Sequence, residues 1–168
     1  MINLIIISVL GLATSLAFAT PASQVLDLPT PRGTHIRLDV YNPGENRVLI
    51  LGQGQGCSPR LDLYEAIAAQ AKGFTVARIY WSYCVAGTGG ASEDLSLETE
   101  DFITALSHFR KSYADSSISI GGKSLGSFVS EDIFLKNSAL AALVLLTPVC
   151  TNPETKANEF AGNYPGLN

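Results

Sequence analysis

Gly122, Lys123, Ser124, Leu125 and Gly126 set a serine between two glycines with one residue on either side. A strand reading at 117–120 precedes them and a helical pattern at 128–136 follows. A serine held where a buried strand hands over to a helix sits on a strained backbone with its hydroxyl exposed, and the flanking positions must be small because strand and helix approach closely there. The helix also points its positive end at the serine, favouring negative charge that develops beside it. The chemistry suggested is nucleophilic attack on an acyl carbon, with Gly122 and Gly126 shaping the turn and Ser124 as the nucleophile. The Gly-Lys-Ser within the same stretch is not a phosphate loop: position 117, where the first glycine would stand, is Ser117, and Ile118, Ser119 and Ile120 are the strand itself.

Such a serine needs an imidazole to take its proton and an acid to orient that imidazole. The chain has two histidines, His35 and His108, and both precede Ser124. His35 falls on the polar side of an alternating segment, and His108 falls off the apolar stripe of its helix, so each reads as a surface residue. Asp132 lies within a helical pattern, which leaves Glu154 as a weak acid candidate, the carboxylate just beyond the last strand.

The positioning elements follow from periodicity. Residues 34–41 alternate, with Ile36, Leu38 and Val40 on one face, and predict a half-buried early or edge strand. Residues 48–51 are a continuous apolar run, as in a strand covered on both faces, ending in Gly52, Gln53, Gly54, Gln55 and Gly56. Cys57 stands where a dinucleotide fingerprint would need its third glycine. Ser58 as N-cap and Pro59 at the first helical position open a helix whose apolar spacing runs through Leu63, Ile67 and Ala71 to a stop at Gly73. A strand at 75–81, a glycine-rich loop at 87–90, a helix at 97–113 burying Phe102, Ile103, Leu106, Phe109 and Tyr113, a strand at 117–120, the helix at 128–136 and a strand at 140–146 complete the pattern. Strands alternating with helices give an α/β fold, a mostly parallel sheet with helices on both faces.

Composition narrows the function classes. The 168 residues are 46% hydrophobic and 15% charged, with 11 Lys+Arg against 15 Asp+Glu and a net charge of -4. A mean hydropathy of +0.22 argues against disorder, and the acidic balance argues against nucleic acid as a partner. Residues 1–19 read as a signal peptide: an apolar run from Ile2 closes on Ala17, Phe18 and Ala19, with cleavage expected before Thr20. An uncleaved anchor is the alternative, since about 18 apolar residues barely span a bilayer. Either reading places the protein outside the cytosol, periplasmic or secreted. Cys57, Cys84 and Cys150 are too few and too dispersed for a disulfide scaffold or a zinc site.

Taken together, the Gly-x-Ser-x-Gly turn and the glycine-rich loop ahead of it resemble those of the α/β-hydrolases, most of all the small dienelactone-hydrolase-like members, over about residues 34–150. The resemblance implies an esterase-like serine hydrolase acting on an ester or related acyl bond. It implies that Gln53, Gly54, Gln55 and Gly56 replace the usual His-Gly-x-Gly loop, and that the backbone N–H groups of Gln55 and Leu125 form the oxyanion hole. No metal or organic cofactor is implied. The expected partner is a small ester or acyl substrate, with no membrane contact beyond the signal segment and the oligomeric state left open. The strands preceding Cys57 and Cys84 are neighbours in this family, so a disulfide between their loops and a pair of buried thiols both fit.

The family's acid and histidine follow the serine, and this chain has no histidine there. The domain is therefore expected to occupy 20–150, with 151–168 an irregular segment resembling an interrupted connection. One reading is a C-terminally truncated and hence inactive hydrolase; the alternative is a non-catalytic binding domain of the same fold. Truncation is favoured because a parallel sheet lacking its outer strands exposes an apolar edge.

Overall fold

A computed structural model describes residues 22–58 and 62–146. The segment at 1–19 expected to be a signal peptide, Pro59, Cys150 and Glu154 lie outside the described residues. Ten elements follow in chain order: β1 (Gln24–Pro29), β2 (His35–Tyr41), β3 (Arg47–Gly52), α1 (Asp62–Gln70), β4 (Thr75–Tyr80), α2 (Ser82–Ala86), α3 (Ser96–Ser112), β5 (Ser117–Lys123), α4 (Leu125–Leu135) and β6 (Leu143–Leu146).

The six strands form one sheet in the order β1-β2-β4-β3-β5-β6. β1 and β2 are antiparallel, β2 meets β4 antiparallel, and β4, β3, β5 and β6 run parallel. Strand alternation divides the apolar residues between two layers. Ile36, Leu38, Val48, Ile50, Ile79, Ile118 and Ile120 face Phe102, Leu106 and Phe109 of α3 and Val129 and Ile133 of α4. Leu49, Leu51 and Val76 face Tyr64 and Ala68 of α1 on the other side. The expected parallel sheet with helices on both faces is present.

Several boundaries differ from the sequence expectations. β2 is an interior strand, because β1 covers the edge on which it was placed, and its Asp39 is buried rather than solvated. α3 turns Ile103 outward, at 47% exposure, and buries Glu98, Asp101 and Ala105 instead. α1 buries Tyr64 and Ala68 and leaves Leu63 at the surface; it ends at Gln70, with Gly73 in the left-handed region at φ +77° just beyond. β5 runs on to Lys123, α4 begins at Leu125, and β6 begins only at Leu143. The short helix α2, not anticipated from the sequence, stands between β4 and the glycine-rich loop at 87–90.

A buried polar cluster fixes α2. The Asp101 carboxylate on α3 accepts the backbone N–H of Ser82 at 2.8 Å and a guanidinium N–H of Arg32 at 2.6 Å. Arg32 also donates to Ser82 Oγ at 2.5 Å. Burial pushes the Asp101 carboxyl above its usual range, and the Ser82 and Arg32 hydrogen bonds pull it back. Arg32→Ala strands that carboxylate, and we expect a loss of about 3 kcal/mol in urea unfolding at neutral pH. A folded pKa raised further stabilises only while the unfolded carboxyl is still protonated. The deficit should therefore widen as pH rises from about 4, and a deficit independent of pH would contradict this role for Asp101.

Candidate active site

β3 and β5 are adjacent and in register, with Gly52 opposite Gly122. The loop after β3 and the turn after β5 thus leave the sheet side by side at the same level. Ser124 makes that turn at φ 52° and ψ −118°, a left-handed conformation for a residue with a β-carbon. Such a backbone costs about 1–3 kcal/mol and persists only where its surroundings enforce it.

Glycines provide that enforcement. A β-carbon on Gly122 would lie 2.2 Å from both the carbonyl carbon and oxygen of Gly126, and one on Gly126 would lie 2.1 Å from the Gly52 carbonyl oxygen. One on Gly121 would lie 2.1 Å from the Val144 carbonyl oxygen in β6. The backbones of β3, β5 and the first turn of α4 are therefore in direct contact. Ser127 secures the turn, its N–H donating to Ser124 O at 2.8 Å and its Oγ to Gly122 O at 3.0 Å.

Ser124 itself is half-buried, and its hydroxyl caps no backbone group of α4. The glycine-rich loop stands beside it: a β-carbon on Gly54 would lie 3.5 Å from Ser124 Cβ and 4.0 Å from its Oγ. Leu125 opens α4, so its N–H has no acceptor within the helix. Among the described residues neither the Leu125 nor the Gln55 backbone N–H has an acceptor. The structure thus brings Gly122, Ser124, Leu125 and Gly126 into one turn and sets the Gln55 loop against it.

Gln53 is fully buried, its carboxamide donating to Cys84 Sγ at 3.5 Å while its side-chain oxygen has no partner among the described residues. Cys57 and Cys84 form a disulfide, which resolves the two options left open by the sequence and ties the loop to α2. In the chain-entropy view a cross-link of this span stabilises by about 3–4 kcal/mol.

Neither histidine stands with Ser124. His35 begins β2, three strand positions from β5 with β4 and β3 between, about 14 Å across the sheet, and its Nδ1 is paired with Asp27 on β1. His108 is half-buried rather than facing water; it packs edge-on against Phe109 with ring centroids 5.4 Å apart, and burial, then Lys111, lowers its pKa. Among the described residues no three His, Cys, Asp or Glu side chains are grouped to hold a metal ion.

No protein-family profile and no curated protein matches the chain. Solved structures do. DcsB in complex with a substrate analogue aligns at a TM-score of 0.59 and 22% identity, over 83% of this chain and 51% of that one. An α/β serine hydrolase homologue from Coxiella burnetii aligns at 0.58 and 15% identity, over 75% and 63%. An esterase from Pyrococcus furiosus aligns at 0.58 and 14% identity, over 74% and 51%. The chain has the α/β-hydrolase fold. It spans about half of DcsB and of the esterase.

The glycine contacts make a sharp prediction. Gly126→Ala drives a methyl group into the Gly52 carbonyl and should cost about 3 kcal/mol or more, read as a drop in the urea midpoint. Gly56→Ala, where nothing lies within 4 Å, should stay within about 0.5 kcal/mol of the parent. Equal effects would contradict the packing described.

Proposed function

We propose that the chain is a serine-hydrolase domain acting on an ester or related acyl bond, with Ser124 as the nucleophile and the Gln55 and Leu125 N–H groups as the oxyanion donors. The observation that carries this is the strained turn at Ser124, φ 52° and ψ −118°, set against the Gly54 loop by three backbones in contact. A fold has no structural need for a serine in that conformation, and backbone strain of this kind concentrates where a side chain must be displayed. The esterase and the serine hydrolase homologue among the fold's neighbours support the same chemistry.

In this reading the Ser124 hydroxyl adds to the acyl carbon, its proton leaving to a base, and the tetrahedral oxyanion takes hydrogen bonds from the two N–H groups. The leaving alcohol or amine departs, and water hydrolyses the acyl-serine. The helix α4 opens at Leu125, so its positive end adds to oxyanion stabilisation. Among the described residues no imidazole is placed to act as the base, so the domain by itself is expected to have the nucleophile and oxyanion hole without efficient proton transfer. The same observation favours the second reading, a binding domain of this fold. We further propose that the protein is exported, periplasmic or secreted; the apolar segment at 1–19 and the Cys57–Cys84 disulfide, a bond that persists in oxidising compartments, support this.

A fluorophosphonate probe distinguishes the readings. We expect slow, selective modification of Ser124, abolished in Ser124→Ala and accelerated by added imidazole, with mass spectrometry locating the adduct; an oxyanion hole without its base still retains about 10³-fold of rate enhancement. Labelling spread over several serines and insensitive to Ser124→Ala would favour the binding domain.

A further inference from the structure

The loop at 52–58 is pinned through its carbonyl groups by side chains that come almost wholly from one short stretch of chain. Trp81 Nε1 donates to Gln53 O at 3.1 Å, and Tyr83 Oη donates to Gln55 O at 2.8 Å. Tyr80 Oη donates to Cys57 O at 2.6 Å, and Arg78 Nη2 donates to Ser58 O at 2.9 Å. Cys84 closes the set through its disulfide to Cys57. From outside this stretch, Tyr64 on α1 donates to Gly52 O at 2.9 Å. Residues 78–84 thus hold the loop at four carbonyls and one sulfur.

The pattern has a consequence for one peptide unit. Each peptide plane is rigid, so fixing a carbonyl also fixes the N–H of the residue after it. Trp81 fixes the plane between Gln53 and Gly54, and Tyr83 fixes the plane between Gln55 and Gly56. The plane between them carries the Gln55 N–H. No side chain among the described residues holds its Gly54 carbonyl, and glycine offers little resistance to rotation. Its orientation is therefore set by its two neighbours, and of these the Gln55–Gly56 plane rests on the Tyr83 hydroxyl.

We propose that Tyr83 is a positioning residue for the Gln55 N–H: its hydroxyl, by fixing the Gln55 carbonyl, holds that donor in place beside Ser124. This rests on the reading of Gln55 as an oxyanion donor. The phenol is suited to the task, because burial, with Glu98 and Asp101 adding to it, raises its pKa to about 12 and keeps it a donor throughout the neutral range. Its backbone is secured in turn, since α2 begins at Ser82, whose N–H is held by Asp101.

The test is Tyr83→Phe in the full chain, which removes one oxygen and keeps the ring. Two readouts separate positioning from a merely structural role. Amide ¹⁵N order parameters should fall at Gln55 and Gly56, from about 0.85 towards 0.6 or below, with the rest of the backbone and the unfolding midpoint unchanged. In fluorophosphonate labelling of Ser124, the limiting rate should fall about tenfold, less than outright loss of an oxyanion donor, while the half-saturating probe concentration stays within about twofold. Unchanged order parameters at Gln55 and Gly56, or an unchanged limiting rate, would overturn the proposal. If the parent chain is not labelled at Ser124, the hydrolase reading falls, and the order parameters alone then decide whether Tyr83 holds this loop.

Discussion

Close contact between three backbones governs this molecule. Gly52 at the end of β3, Gly122 near the end of β5 and Gly126 in the first turn of α4 lie so near one another that no side chain fits between them. The strand order puts β3 beside β5, and the register puts Gly52 opposite Gly122. With the helix pressed onto both strands, the chain has only one residue in which to reverse from strand to helix. Ser124 is that residue, and its left-handed backbone is the geometric result of the packing around it.

That contact also brings the glycine-rich loop to the serine, but it does not by itself give the loop a fixed shape. A run of Gly-Gln-Gly-Gln-Gly is conformationally free on its own. Its order comes from aromatic hydroxyl donors on β4, α2 and α1, from the Trp81 indole between β4 and α2, from one buried arginine and from a disulfide. The Arg32, Asp101 and Ser82 cluster then anchors the helix that supplies two of those restraints. The site is thus built as nested supports, with a polar cluster holding a helix, the helix holding a loop, and the loop placed against a strained serine.

What the sequence discloses and what it hides divide along sequence separation. The serine turn was legible because its five residues are contiguous and the two small ones sit where strand and helix must touch. The order of alternating strands and helices was legible from local periodicity. The edge strand β1 was not, since its short segment turns only Leu26 and Leu28 inward, and incompletely, while Val25 faces solvent at 60% exposure. The five-residue α2 is too short to show a helical period. Ile103 was misplaced because it borders the apolar stripe of α3, and only the position of the sheet decides which side of that stripe is buried. The loop restraints were invisible for a different reason: donors and acceptors such as Tyr83 and Gln55 lie 28 residues apart, and the Arg32 and Asp101 partners 69 apart. Even the resemblance that brought Cys57 and Cys84 near each other could not choose between a bond and two thiols.

The account comes down to whether one strained hydroxyl and two backbone N–H groups converge on a single point in space. A crystal structure of the chain after reaction with a fluorophosphonate measures this directly. We expect phosphorus bonded to Ser124 Oγ, with the phosphoryl oxygen about 2.7–3.1 Å from the backbone nitrogens of both Gln55 and Leu125. A phosphoryl oxygen turned to solvent, or either nitrogen aimed away from it, would contradict the account.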